Sequence, residues 1–224
     1  MRKKMLILTG PQGAGNHLWS KIFSLHPEVF GWKTLLDNYW EAHRFYEPFC
    51  KCWKNHNLLQ EFDWGQSDYF FTSISAPLGI FNYDKNPIWN PDIIGFAKTI
   101  KELDIDVDFA VIGRDQNILR SQQKRIRGGS TLPIFLDQLE KICTNYNPKF
   151  LSYELLYIYK AEYLRSLNFN IPVAYDSMHI DKILENDANT KYVHDIPISP
   201  LDNGNRLGII FKENPLEIKE DQAS

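Results

Sequence analysis

The fold is decided by the stretch Met5-Leu6-Ile7-Leu8-Thr9-Gly10-Pro11-Gln12-Gly13-Ala14-Gly15-Asn16-His17. Its first four residues form a continuous apolar run that ends at Gly10-Pro11, which predicts a buried parallel strand. Beyond the glycines, apolar residues recur at helical spacing up to Leu25 and stop before Pro27, which predicts a helix. The stretch therefore predicts a strand, a glycine loop and a helix in succession.

The alternation of strand and helix continues along the chain. Apolar runs predict strands at 68–73, 108–113, 149–153, 172–175 and 206–211. Helical spacing predicts helices at 91–103, 117–127, 132–146 and 154–167. The buried stripe of the last helix is expected at Leu155, Ile158, Tyr159 and Tyr163. This alternation predicts an α/β fold with three α/β/α layers and a mostly parallel central sheet, whose ligands sit beyond the carboxyl ends of the strands.

The composition is that of a globular protein. The chain has 224 residues, of which 43% are hydrophobic and 24% are charged, and its formal net charge is −3. These values predict a single domain over 1–224 and argue against a nucleic-acid binder, which would normally be basic. No run of eighteen apolar residues occurs, so no membrane span is expected. The three cysteines, Cys50, Cys52 and Cys143, are interpreted as reduced thiols of a cytoplasmic protein.

More than half of the aromatic residues lie in the segment 30–96. We interpret it as an irregular, loop-rich insert over the carboxyl edge of the sheet. Its aromatic residues pack a small subdomain, line one wall of the binding site for an acceptor substrate, or do both. Four residues of the insert are of the types that bind zinc: His43, Cys50, Cys52 and His56. Their spacing fits no strong zinc-binding pattern. Residues from 186 onward are predicted to form loop, with a frayed end at 212–224.

The glycine loop predicts a phosphate cradle. Glycines allow positive φ and close approach of an anion, and the amides at the start of the following helix point at that anion. The spacing from Gly10 to Gly15 matches the first half of a Walker A motif, but Asn16 and His17 stand where that motif has Lys and Ser or Thr. Chemistry that depends on Mg²⁺ and ATP is therefore disfavoured, because the missing residues hold the phosphates and the metal.

Residues 10–29, GPQGAGNHLWSKIFSLHPEV, resemble the 5′-phosphosulfate loop of sulfotransferases that use 3′-phosphoadenosine 5′-phosphosulfate (PAPS). The ending Leu25-His26-Pro27-Glu28-Val29 matches the family, and Gly15 falls on its loop glycine. Asn16 and His17 replace two hydroxyl residues, and Gly13 falls where the family usually has Lys or Arg. The resemblance implies a P-loop NTPase-like fold and donor binding by Gln12, Gly13, Ala14, Gly15, Asn16, His17 and Leu18.

Two later segments are also similar to this family. In FAVIGRDQNILRSQQKRIR, residues 109–127, the resemblance implies that Arg114 and Ser121 hold the 3′-phosphate of the donor. The two residues are seven apart, whereas the family spacing is eight, and an ungapped match would place Gly113 at the Arg position. Residues 150–156, FLSYELL, resemble a family strand that ends in Tyr-Glu-Asp-Leu.

The resemblance implies a sulfotransferase that moves a sulfuryl group from PAPS to a hydroxyl or amine, leaves adenosine 3′,5′-bisphosphate and needs no metal. The aromatic residues are compatible with sugars, phenols or lipid-linked glycans as the acceptor, and self-association is not predicted either way. We expect His17 to be catalytic by stabilising the leaving group, with Lys21 on the same helix face.

The general base is not identified by the sequence. Five candidates lie in or near the aromatic insert: Glu41, His43, His56, Asp63 and Asp68. Two other functions stay open. One is a non-catalytic nucleotide-binding domain of the same fold, and the other is a P-loop nucleotide or metabolite kinase with a degenerate Walker A motif.

Overall fold

Five parallel strands form a single sheet in the order β2-β3-β1-β4-β5. The computed structural model describes residues 2–79 and 88–185. The strands are β1 Lys4–Gly10, β2 Val29–Phe30, β3 Tyr69–Ser75, β4 Asp106–Gly113 and β5 Lys149–Ser152. The α-helices in these ranges are α1 Asn16–Ser24, α2 His43–Tyr46, α3 Ile93–Glu102, α4 Gln116–Arg127, α5 Leu132–Asn145, α6 Tyr153–Ser166 and α7 Ser177–Leu184, and two 3-10 helices lie at Lys33–Asp37 and His56–Leu59. The predicted α/β class with a parallel central sheet is confirmed.

Helices cover both faces of the sheet. Apolar residues of α1, α6 and α7 pack on one face, against β1, β3 and β4 side chains such as Leu6 and Phe71. Residues of α3 and α5 pack on the other face, against side chains such as Met5 and Ile7. The alternation of residues 5–8 between the two cores explains the continuous apolar run, because successive side chains of a strand point to opposite faces.

The aromatic insert contributes to the core on the face of the sheet that α3 and α5 cover. Phe49 and Trp53 are fully buried there, and the Trp53 indole stacks on Phe96 of α3 with ring centroids 3.7 Å apart. This part of the insert therefore lies on a face of the sheet, whereas the sequence analysis expected it over the carboxyl edge. The strand predicted at 68–73 is β3, which is internal to the sheet and pairs with β1 along its whole length.

Two predictions of local structure are wrong. Leu155, Ile158 and Tyr159 of α6 are exposed rather than buried, and the buried positions are Tyr153, Leu156, Ala161 and Leu164. Lys160 has φ +47°, which interrupts the helix and rotates the buried face on either side of the break. Residues 172–175 form no strand. The strand predicted at 206–211, the loop from 186 and the frayed end at 212–224 lie outside the described residues.

Candidate functional site

The glycine loop leaves the sheet where the strand order reverses. From β1 the chain passes through α1 to β2 and β3 on one side of β1, and then through α3 to β4 on the other side. In open parallel sheets, ligands bind beyond the carboxyl ends of the strands at such a switch point. The topology therefore places residues 10–15 at the position where this fold class binds its ligands.

Backbone amides at the start of α1 are available to a ligand. The loop passes through two glycines in the left-handed region, Gly13 at φ +85° and Gly15 at φ +108°, and Gly15 forms the N-cap of α1 without a side-chain cap. The amides of Asn16, His17 and Leu18 donate to no acceptor within the described ranges. Free donors at a helix N-terminus, with the positive end of the helix dipole, favour an anion there.

The positive φ values favour glycine at both positions, and at Gly15 a neighbouring ring also leaves no room for a side chain. A Cβ on Gly15 would lie 2.8 Å from Cδ2 of Tyr153, which is the first residue of α6. A Cβ on Gly13 would lie 2.6 Å from the Oε1 atom of Gln122, on α4. At Gly13 the backbone therefore lies bare under the Gln122 side chain.

Side chains from distant elements hold the loop by its carbonyl groups. Gln123 of α4 donates from Nε2 to the Gln12 carbonyl at 2.7 Å, and Arg114 donates from Nη1 to the Gly13 carbonyl at 2.5 Å. The Gln12 side chain is buried and donates to the Gly79 carbonyl. These contacts join the loop to β4, to α4 and to the segment after β3.

The predicted loop residues occupy one continuous site. Ala14 is buried and donates its N–H to the Pro11 carbonyl, which closes a turn. Asn16 donates from Nδ2 to Oγ of Ser75 at the end of β3. The side chain of Leu18 packs against the core between the sheet and α1, α6 and α7, so that only its backbone amide faces the loop side. The predicted donor-binding role of these residues stays a prediction.

Arg114 and Ser121 are in different environments. Arg114 follows β4 directly, is 8% exposed, contacts the Gly13 carbonyl and lies over the Tyr153 ring at 4.5 Å. Ser121 is exposed on α4, and its hydroxyl forms no hydrogen bond with any described residue. The side chain that meets Arg114 is Gln122, at 2.8 Å from Nη1 to Oε1.

Sequence reasoning missed Gln122 and Gln123. One signal could have found the first of them: Gln122 lies eight residues after Arg114, which is the spacing in the family that the sequence resembles. No local pattern pointed to Gln123, because its contact with the Gln12 carbonyl joins residues 111 apart in the chain.

His17 lies in the first turn of α1 with its ring held by the insert. Its Nε2 atom donates to the Glu41 carbonyl at 2.8 Å, and its ring packs between Trp32 and Trp40 at centroid distances of 5.1 and 5.6 Å. Burial is the main cause that lowers the pKa of His17, with Lys21 as a further cause. The ring is therefore neutral at pH 7, and its one N–H is directed at Glu41. The arrangement suits proton acceptance at Nδ1 better than the expected donation to a leaving group.

The Glu41 carboxylate organises this part of the insert. Its Oε2 atom accepts hydrogen bonds from Trp32 Nε1 at 2.8 Å and from Thr34 Oγ1 at 2.7 Å, and Oε1 accepts from Asn38 Nδ2 at 2.9 Å. Lys21 donates to the Asn38 carbonyl, and burial lowers the pKa of this amine. The Glu41 carboxylate thus holds residues 32–41 together, and the contacts of His17 with the Glu41 carbonyl and of Lys21 with the Asn38 carbonyl join this segment to α1.

The other candidate bases have separate structural contacts. His56 packs edge-on against the Phe96 ring, and Asp63 accepts the Gly65 amide in a turn. The Asp68 carbonyl accepts the Lys4 amide at the start of the sheet, at the opposite end of β1 from the glycine loop. The five candidates therefore do not form one cluster, and none of these three contacts the loop.

His43 belongs to a buried network beside β3 that sequence reasoning did not recognise. Its Nε2 atom donates to the Ser73 carbonyl at 2.5 Å, and burial lowers its pKa to about 4. Next to it, the fully buried Glu47 accepts hydrogen bonds from Thr72 Oγ1 at 2.7 Å and from the Phe49 amide at 2.8 Å. Burial raises the pKa of Glu47 to about 8, so this carboxyl is protonated at neutral pH.

The zinc arrangement drawn from the sequence is not assembled. In the part of the chain that the structure describes, no three side chains of His, Cys, Asp or Glu gather in a way that could hold a metal ion. Burial raises the pKa of the Cys52 thiol to about 11, which disfavours the thiolate that a metal would need. None of the helices in the described ranges combines the length and apolar character that a bilayer crossing requires.

Comparison with protein-family models, with curated proteins and with solved structures finds no match to this chain.

Proposed function

We propose that this chain is a PAPS-dependent sulfotransferase that binds the 5′-phosphosulfate of its donor at the glycine loop. One observation carries the proposal: three amides without acceptors, those of Asn16, His17 and Leu18, begin a helix at the switch point of a parallel sheet. Such amides bind a tetrahedral oxyanion without help from a side-chain cation.

The residues beside the amides favour a donor that is not a magnesium triphosphate. Asn16 and His17 occupy the positions of the Walker lysine and hydroxyl, and neither supplies the ammonium group or the Mg²⁺ ligand that those residues provide. In PAPS, the leaving group is a phosphate whose charge the loop amides can stabilise. The free amides and the residues that replace the Walker pair therefore agree with a sulfuryl donor.

In this proposal the chain positions the donor and leaves the chemistry to the donor's phosphosulfate linkage. The acceptor oxygen or nitrogen forms a bond to sulfur, the bond from sulfur to the bridging oxygen breaks, and the electron pair leaves with adenosine 3′,5′-bisphosphate. The amides of α1 meet the charge that develops on that oxygen. Arg114 acts as a positioning residue, because its contact with the Gly13 carbonyl fixes the peptide that precedes Ala14.

A second function is favoured by one specific observation. Gly13 stands where the sulfotransferase family usually has a cation, and the Gln122 side chain lies over this position. A loop without that cation fits a domain that binds a phosphorylated nucleotide without transferring a group. Binding of adenosine 3′,5′-bisphosphate supports both functions, and release of sulfate or transfer from PAPS separates them.

The binding test uses Asn16→Asp in the presence of EDTA. A carboxylate in the first turn of α1 repels the anion while it remains favourable to the helix dipole, so the fold should persist. We expect isothermal titration calorimetry to show metal-independent binding of adenosine 3′,5′-bisphosphate to the wild type and a loss of at least about tenfold in Asn16→Asp. Asn57→Asp, the same charge change on an exposed turn, should bind like the wild type.

Two outcomes would contradict the proposed site. One is binding that requires Mg²⁺ or that prefers Mg-ATP, which would indicate kinase-type chemistry. The other is equal weakening by Asn16→Asp and Asn57→Asp, which would show that net charge rather than the loop governs affinity.

A further inference from the structure

An exposed indole lies against the imidazole in the first turn of α1. The Trp40 ring stacks on the His17 ring with an angle of 24° between the planes, and Trp40 is 61% exposed. Trp32 covers another side of the imidazole and is itself buried. Tyr39, next to Trp40, is 76% exposed. Burial of large aromatic rings is favourable, and adjacent aromatic rings in solvent are typical of ligand-binding surfaces.

The imidazole presents a lone pair at this surface. A carbonyl oxygen can only accept, so the proton of the neutral ring is on Nε2, which donates to Glu41, and Nδ1 carries the lone pair. Nδ1 has no hydrogen-bond partner among residues 2–79 and 88–185, and it is not sealed from solvent. The charged and titratable groups that act on it are Lys21 of α1, Glu41 of the insert and His43 of α2. A hydroxyl group that reaches Nδ1 would donate to it.

The open surface around Trp40 and Tyr39 favours one class of ligand over another. Flat aromatic ligands are usually enclosed in apolar pockets, whereas Trp40 and Tyr39 lie on open surface next to the exposed polar side chains of Asp37 and Asn38. A pyranose ring matches this combination. Its axial C–H groups carry partial positive charge and pack on the electron-rich face of an indole, and its hydroxyl groups remain hydrated at the polar rim.

We propose that Trp40 and His17 form the acceptor site and that the acceptor is a pyranose, which lies on the Trp40 indole and directs one hydroxyl at Nδ1 of His17. The inference deepens the proposed function and rests on it for the transfer step. In that step the hydroxyl proton moves to Nδ1 while the oxygen forms its bond to sulfur, and adenosine 3′,5′-bisphosphate leaves with the electron pair of the broken bond. The protonated ring returns its proton to solvent after release of the product.

The site is testable without the donor, by nuclear magnetic resonance on the full chain with labelled histidine and tryptophan. The probes are the methyl glycosides of glucose, galactose, mannose and N-acetylglucosamine, and p-nitrophenol serves as the flat aromatic competitor. We expect at least one glycoside, at millimolar concentration, to shift the Trp40 indole and His17 imidazole signals together. Trp40→Ala should weaken that binding by about tenfold, and Phe45→Ala, which removes another exposed ring of the insert, should leave it unchanged.

A second readout concerns the proton. A hydroxyl that donates to Nδ1 favours the neutral ring, so bound glycoside should lower the pKa of His17 further, as measured from the ring signals. A raised or unchanged pKa would overturn the role of Nδ1. Binding of p-nitrophenol alone, absence of binding by all four glycosides, or equal effects of Trp40→Ala and Phe45→Ala would overturn the pyranose site. Glycoside binding in a chain that does not bind adenosine 3′,5′-bisphosphate would refute the proposed function but leave the site standing.

Discussion

Replacement of Glu47 by Gln should change how the stability of this protein depends on pH. The carboxyl group is 2% exposed and lies beside β3, where it accepts from Thr72 and from the Phe49 amide. Its pKa rises from 4.5 to about 8, mainly because burial disfavours the charged form. Between these two values the folded chain holds one more proton than the unfolded chain, so the free energy of unfolding falls as the pH rises.

The magnitude follows from the two pKa values. They differ by about 3.5, which corresponds to about 5 kcal/mol over the whole interval. His43 acts in the opposite direction at lower pH: its pKa falls from 6.5 to about 4, so its contribution is lost as the pH drops through that interval. From pH 6.5 to 8 the Glu47 contribution falls by about 2 kcal/mol. The lowered pKa values of His43 and His17 offset part of this loss near pH 6.5, where their unfolded forms still bind protons.

Urea unfolding followed by tryptophan fluorescence at pH 6.5, 7.0, 7.5 and 8.0 tests this reasoning. Relative to Glu47→Gln, the wild type should lose about 2 kcal/mol across the series, apart from a constant offset for the altered hydrogen bonds of the variant. Glu102→Gln, at the exposed end of α3, should follow the wild type. Parallel curves for the wild type and Glu47→Gln would refute the burial of a neutral carboxyl at this position.

Two further substitutions test how the glycine loop is held. Gly15→Ala places a Cβ 2.8 Å from the Tyr153 ring on a residue with φ +108°, so thermal unfolding should show that the free energy of unfolding falls by about 2–4 kcal/mol. Gly65→Ala is the control, because its φ is +44° and the space around it is open, and it should lower the free energy of unfolding by only about 1 kcal/mol. Arg114→Gln should lose about 2–3 kcal/mol and weaken binding of adenosine 3′,5′-bisphosphate, since a buried charged donor to the loop is removed. Arg165→Gln, which removes an exposed arginine, should change stability by less than about 1 kcal/mol, and similar losses from both arginines would contradict the anchoring role.

Sequence patterns correctly predicted β1, the glycine loop and α1, because the residues that determine these elements are close together in the chain. The apolar run in β1, the two glycines of the loop and the stop before Pro27 act within a few residues of one another, and the structure has a strand, a loop and a helix there. The prediction of the buried face of α6 was wrong because the positive φ of Lys160 changes which residues of the helix face the core. No residue pattern in the sequence signals that φ.

The backbone of the candidate site could be predicted from the sequence, but the side chains that hold the loop in place could not. The glycine spacing identified the amide donors, but the contacts that hold the loop join Gln12 to Gln123 and Gly13 to Arg114, more than 100 residues apart. Glu47 gave no signal either, since a carboxylate between aromatic residues and Pro48 is also typical of an exposed turn. Such contacts depend on which elements meet in three dimensions, which periodicity does not encode.

The anchoring of the loop by its carbonyl groups has a thermodynamic consequence. Because Arg114 and Gln123 already fix the peptide planes, the entropy of ordering this segment is lost during folding rather than when an anion arrives. A preorganised cradle of this kind should show little change in amide hydrogen exchange on binding. Any mutation that loosens the anchors should then lower affinity through a larger entropic penalty, while the enthalpy of the amide contacts stays nearly constant.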